Sequence, residues 1–167
     1  MRIESFVPKR DCTVIENWIT EERTHALWCA GRFPYPLEKD SFEDTLARLP
    51  VQPFIAMDDT GRVLGFFCFS LHEETREGVL KFVVIDPKER GKGLGKEMLR
   101  LALRHAFETT DAESVALSVF TENPAAKKCY LGIGFRERKT EPGAFSFQGE
   151  AWGRCSMVIQ RYEFTDN

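Results

Sequence analysis

Three glycines at alternate positions, Gly91, Gly93 and Gly95, stand among the cations Arg90, Lys92 and Lys96. Just before them Phe82-Val83-Val84-Ile85 is a short apolar run rich in β-branched residues, closed by Asp86-Pro87, so it reads as a strand. Just after them Leu99, Ala102, Leu103, Ala106 and Phe107 repeat at helical spacing. A strand, a glycine-rich turn and a helix start make an anion site. The first helical turn carries unpaired N–H groups and the positive end of the dipole, and glycine lets a phosphate approach the backbone. The turn fits neither of two familiar phosphate loops. Glu97 follows Gly95-Lys96 where a Walker loop needs a hydroxyl, and Lys96 stands where the dinucleotide loop needs its last glycine.

The pattern that does fit is Arg90-x-x-Gly93-x-Gly95 directly after an apolar strand. It resembles motif A of the GNAT superfamily of acetyl-CoA-dependent N-acetyltransferases. A second stretch, Asn123-x-x-Ala126-x-x-x-Tyr130-x-x-x-Gly134-Phe135, resembles motif B of the same superfamily. The two occur in the right order, separated by one helix and one strand, and the likeness spans roughly residues 51–162.

The resemblance implies acetyl-CoA as cofactor, with the amides of Arg90, Gly91, Lys92, Gly93, Leu94, Gly95 and Lys96 on its pyrophosphate. It implies that the strand at Phe82, Val83 and Val84 splays from its neighbour so that the pantetheine arm pairs with it. Asn123, Ala126 and Lys128 would complete the cofactor site, and Tyr130 would be the general acid. The physics is compatible. Ala126 and Tyr130 are i and i+4, on one helix face, and the small residue leaves room for a thin arm beside the hydroxyl. The expelled thiolate has a pKa of about 8.5, and a neutral tyrosine of pKa about 10 can protonate it.

The expected reaction is acetyl transfer from acetyl-CoA to a primary amine, on a small molecule or a protein N-terminus. The alternative is a catalytically silent acyl-CoA-binding sensor or interaction module. An attacking amine must be neutral. Deprotonation at pH 7 costs roughly 4.6 kcal/mol for a lysine-like amine and about 1 for an α-amino group. Some members of the superfamily place a glutamate on the strand before motif A, whereas Leu80–Ile85 here carries only Lys81. Substitutes are Glu21, Glu22, His25, Glu150 or a chain of waters. Trp18, Trp28, Phe33 and Tyr35 early, with Phe145, Phe147 and Trp152 late, are aromatic candidates for the acceptor groove, and of these Trp28, Phe33, Tyr35 and Phe147 are expected to touch the substrate.

The elements that must position these groups follow from the rest of the chain. Strands are expected at Arg2–Val7, Phe54–Met57, Val63–Ser70, Val79–Asp86, Ser114–Phe120, from Phe135, and at Trp152–Tyr162. Helices are expected from Asp11, from Asp40 or Ser41, over 94–109, and from Asn123-Pro124, with residues 20–37 uncertain and Thr140–Glu150 a loop. The fold class is therefore α/β: a mixed, mostly antiparallel sheet of about seven strands, splayed at the cofactor cleft and flanked by about four helices. The 167 residues suit a single domain, and 43% apolar content supplies a core. A net charge of −3 with no basic block argues against nucleic acid. Five scattered cysteines without a Cys-x-x-Cys pair argue for reduced thiols and no metal site. With no signal-peptide core and no apolar run of spanning length, the expectation is a cytoplasmic protein off the membrane, with a homodimer as an open assembly state.

Overall fold

The computed structural model describes residues 1–166. The chain runs β1 (Arg2–Ser5), α1 (Pro8–Trp18), α2 (Glu22–Cys29), α3 (Lys39–Arg48), β2 (Gln52–Met57), β3 (Val63–His72), β4 (Glu77–Ile85), α4 (Leu94–Thr109), β5 (Ser114–Phe120), α5 (Pro124–Leu131), β6 (Arg136–Phe147) and β7 (Glu150–Gln160). Short 3-10 turns follow β4 and β7. The seven strands form one sheet in the order β1-β2-β3-β4-β5-β7-β6, antiparallel except where β4 meets β5. Among the described residues five α-helices flank it, one more than the sequence periodicity suggests.

The extra helix is α2, which lies inside the stretch the sequence leaves uncertain. It is only eight residues long and ends where Ala30 turns left-handed at φ 50°. Two other elements also differ from expectation. Pro8 opens α1 as its first residue, and Asp11 is not the cap but a buried acceptor one turn in, taking the Val7 N–H at 2.7 Å. Residues 140–147 are not a loop, because β6 runs on to Phe147 through a register shift between Glu141 and Phe145. Pro142 and Gly143 occupy that irregularity, which is why the segment looks like a turn in sequence.

The two faces of the sheet bury separate cores. On one, α4 turns Met98, Leu99, Ala102, Leu103 and Ala106 onto Phe67, Val115, Leu117 and Met157. On the other, α1, α2 and α3 pack Ile15, Cys29 and Phe42 onto Phe66, Phe82 and Val84. Each large apolar side chain buried in this way contributes about 1.5–3 kcal/mol.

The strand β4 changes faces partway along. Leu80 belongs to the α4 core, yet Phe82 and Val84 belong to the opposite one. A single extra residue does this. Cys68 pairs with Lys81 and Phe66 with Val84, so Phe82 and Val83 together oppose Phe67. Phe82 sits at φ 54°, the left-handed value that marks the bulge.

Candidate functional site

β4 and β5 pair in parallel only through Glu77, Gly78 and Val79, against Ser114, Val115 and Ala116. Beyond that they part. The gap is a cleft of about 760 Å³ bounded by Leu80–Ile85 on one side and Leu117, Ser118 and Val119 on the other. The parting leaves main-chain groups of a central strand without a ladder partner on that side, and such groups need one from somewhere. Trp28 of α2 supplies one: its indole Nε1 donates to the carbonyl of the bulged Phe82 at 2.8 Å.

At one end the cleft meets the start of α4. Gly91, Gly93, Leu94, Gly95 and Lys96 all lie on its wall, with Arg90 beside them. Gly91 and Gly93 have φ of 79° and 81°, and a Cβ on either would meet nothing within 4 Å. The left-handed turn thus faces open space on the very side where the helix N-terminus is positive. That combination suits a phosphate-bearing ligand and requires glycine for backbone reasons alone. The turn is braced from behind. Arg62 bridges Asp86 at 2.8 Å and Glu89 at 2.9 Å, and Asp86 accepts from the Lys88 N–H. Lys92, one of the expected cofactor cations, is not on the cleft wall: its ammonium turns to Glu89 at 2.7 Å. That ammonium, donating its hydrogen bond, is the main reason the Glu89 carboxyl lies below its usual pKa, with Arg62 assisting. Lys96 lies over Gly132 at the end of α5, where helix carbonyls favour a cation.

The far wall comes from α5. Asn123 caps the helix, its Oδ1 accepting from the Ala126 N–H at 3.2 Å, and Pro124 takes the first helical position. Asn123, Ala126, Lys128, Cys129 and Tyr130 face the cleft together. Tyr130 is 7% exposed and packs edge-on against Phe135. Burial pushes its phenol well above the ordinary value, so the hydroxyl keeps its proton at any physiological pH.

The opening on the α2 face is lined by Ile19, Thr24, Leu27 and Trp28. Of the four aromatic residues expected to touch substrate, only Trp28 reaches the wall. Phe33 is sealed in the core at 1% exposure, stacked on Trp28 with centroids 5.2 Å apart. Tyr35 is exposed and donates to the Thr20 carbonyl, and Phe147 packs on Trp152 at 4.9 Å. The candidate bases are also elsewhere. His25 is buried beside Cys29, Glu22 accepts from Gln148, and Glu150 accepts from Trp152 Nε1 and Arg23. Glu21 is the residue before α2 and is exposed. Sequence reasoning missed Thr24, Leu27, Lys81, Ser118 and Cys129 on the wall, since no local pattern says which residues border a gap between strands.

The family model described as "Acetyltransferase (GNAT) family" matches residues 12–135. The chain belongs to the GNAT acetyltransferase family. Among curated GNAT-related proteins, a mycothiol acetyltransferase from Mycolicibacterium gilvum is 36% identical over 91 residues, 52% of this chain and 30% of that one. A spermine/spermidine N(1)-acetyltransferase from Bacillus subtilis is 32% identical over 96 residues, 54% of this chain and 60% of that one. The chain thus spans less than two thirds of the length of the curated relatives it matches. A solved spermidine N-acetyltransferase from Vibrio cholerae, in complex with CoA and spermine, superposes with a TM-score of 0.83 at 21% identity, over 96% of this chain and 95% of that one. The GNAT fold therefore extends over nearly the whole chain. Among the described residues no helix is long and apolar enough to cross a membrane.

Proposed function

We propose that this protein transfers an acetyl group from acetyl-CoA to a primary amine of a small molecule. One observation carries the reading: β4 leaves β5 after Val79, and the gap joins the N-terminus of α4 to Tyr130. A long thin ligand with a charged middle and a reactive tip matches that shape. Amides of Gly91, Gly93 and Gly95 would hold its diphosphate, the edge of β4 at Phe82–Val84, apart from the Phe82 carbonyl that Trp28 holds, its amide-bearing arm, and Ala126 leaves the arm room to pass.

Bound there, acetyl-CoA supplies an acyl group activated as a thioester. The chain's own part is to orient, to exclude water and to place a proton. The Tyr130 hydroxyl would donate its proton to the sulfur as the carbon–sulfur bond breaks and the amine nitrogen bonds to the acyl carbon. The extra proton left on that nitrogen would pass to solvent, and the phenolate would regain one from solvent. Burial raises the phenol's pKa, so the hydroxyl carries its proton and can donate it to a departing sulfur. No carboxylate lies at the acceptor end of this cleft among the described residues, which favours an acceptor whose amine is easily neutral, such as an α-amino group. The five cysteines, all unpaired, suit a reducing cytoplasm.

The test is acetyl-CoA turnover against a panel of amines. CoA release with at least one amine is expected, and Tyr130→Phe should lower kcat by about 10²–10⁴. CoA binding without transfer to any amine would instead favour the silent-sensor alternative.

A further inference from the structure

A second hollow of about 370 Å³ lies beside the cleft, and the two share Ser118 in their walls. Its walls are Ser118, Arg138, Lys139, Glu141, Arg154 and Ser156, drawn from β5, β6 and β7. The register puts Ser118 beside Ser156, and Glu141 beside Arg154. Two of the three cations are neutralised. Arg138 holds Glu77 at 2.6 Å and touches Ser156 Oγ at 3.2 Å, and Lys139 holds Glu141 at 2.8 Å. Arg154 is exposed and stands across from Glu141, whose carboxyl is held below its ordinary pKa first by the Lys139 hydrogen bond and only weakly by Arg154. No salt bridge ties Arg154 to a carboxylate among the described residues. Lys81 is a second such cation. It lines the first cleft, on β4, and the β4–β5 register carried two residues past Val79–Ala116 sets it level with Ser118 across the gap.

Building on the acetyl-transfer reading, we infer that the acceptor amine carries an oxyanion, a carboxylate or a phosphate, that Arg154 binds while the amine reaches the cleft past Ser118. The floor of the hollow is a sheet face bearing two serine hydroxyls that donate to the same anion, and guanidinium is the side chain best shaped to grip one bidentately. A polyamine fits this surface poorly. It would bring two or more positive charges against Lys81 and Arg154, with Glu141 already engaged by Lys139. The acceptor class therefore differs from the polyamine named for the Vibrio cholerae structure of the same fold.

The experiment measures kcat/KM for matched acceptors at saturating acetyl-CoA: amino acids and dipeptides against their C-terminal amides, glucosamine 6-phosphate against glucosamine, and spermidine as the cationic arm. The charged member of at least one pair should exceed its neutral partner by tenfold or more, mainly through KM, and the pair that does so tells carboxylate from phosphate. Arg154→Gln should bring that ratio to within about threefold of unity with an unchanged melting temperature, and 0.5 M salt should shrink it in the parent protein. Preference for the neutral partners or for spermidine, or a ratio that survives Arg154→Gln, overturns the inference while leaving acetyl transfer standing. No turnover with any amine overturns both.

Discussion

The indole of Trp28 donates to the carbonyl of Phe82 at 2.8 Å, and so a side chain from α2 stands in for the strand that β5 ceases to be. Phe33 stacks on the same indole and meets the Phe82 ring at 4.8 Å, which fixes both partners from the core side. The bulge is therefore held by tertiary contacts. Trp28→Phe keeps the apolar body and leaves a part-buried carbonyl without its donor, a loss of about 1–3 kcal/mol. A melting temperature lower by roughly 2–4 °C per kcal/mol is expected, together with a fall in kcat as β4 loosens. Calorimetry and steady-state kinetics on the same preparation check this; an unchanged melting temperature would show that the bulge does not need the indole.

Tyr130→Phe removes one oxygen from a residue already packed among apolar neighbours. Stability should hardly move. If the phenol is the proton donor, kcat should fall by about 10²–10⁴, while the CoA dissociation constant stays within about threefold. Loss of CoA affinity with unchanged kcat would make the residue a wall of the cleft and no more.

Gly93→Ala places a Cβ where no protein atom lies within 4 Å, so the fold loses only the left-handed backbone term, about 1–2 kcal/mol. The ligand side of the turn loses its open approach. CoA binding measured by calorimetry should weaken at least tenfold, with a much smaller effect on binding of pantetheine, which has no diphosphate. Equal weakening of the two would place the phosphates elsewhere.

His105 on α4 lies under Phe54 and Phe69, with Nδ1 at 3.1 Å from Thr109 Oγ1 and a buried Nε2 that has no partner. Burial lowers its pKa, and burial does the same to His25. A histidine kept neutral in the folded state costs stability once the unfolded chain takes up a proton that the native ring does not. Stability is then full above about pH 6.5, the ordinary histidine value, and declines as pH falls below it. Urea unfolding at pH 7 and pH 5 should show this decline, and His105→Leu should flatten part of it. A parent protein equally stable at both pH values would contradict the burial of both rings.

Much of the frame was legible because it is written in local patterns. Periodic apolar residues delimit α4 at Leu94–Thr109, alternation delimits β5 at Ser114–Phe120, and Asn123-Pro124 announces α5. That the glycine turn and the Ala126–Tyr130 face would line one cleft was readable for the same reason, since spacing along one element determines each. What was hidden depends on contacts between distant segments. Nothing local marks Phe82 as a bulge, because Phe66, Phe67 and Trp28 set it. Nothing local seals Phe33 inside while Thr24 and Leu27 face the cleft. The helix α2 is too short to show a period, and the Pro142-Gly143 irregularity disguises a continuous strand as a loop.

The most direct measurement is a crystal structure of the protein with CoA. The expected density threads between β4 and β5, with diphosphate oxygens about 2.9 Å from the amides of the 91–96 turn and the sulfur beside the Tyr130 hydroxyl. Density for CoA outside that gap, or a gap closed by the protein's own side chains with CoA bound elsewhere, would contradict the acetyl-transfer account.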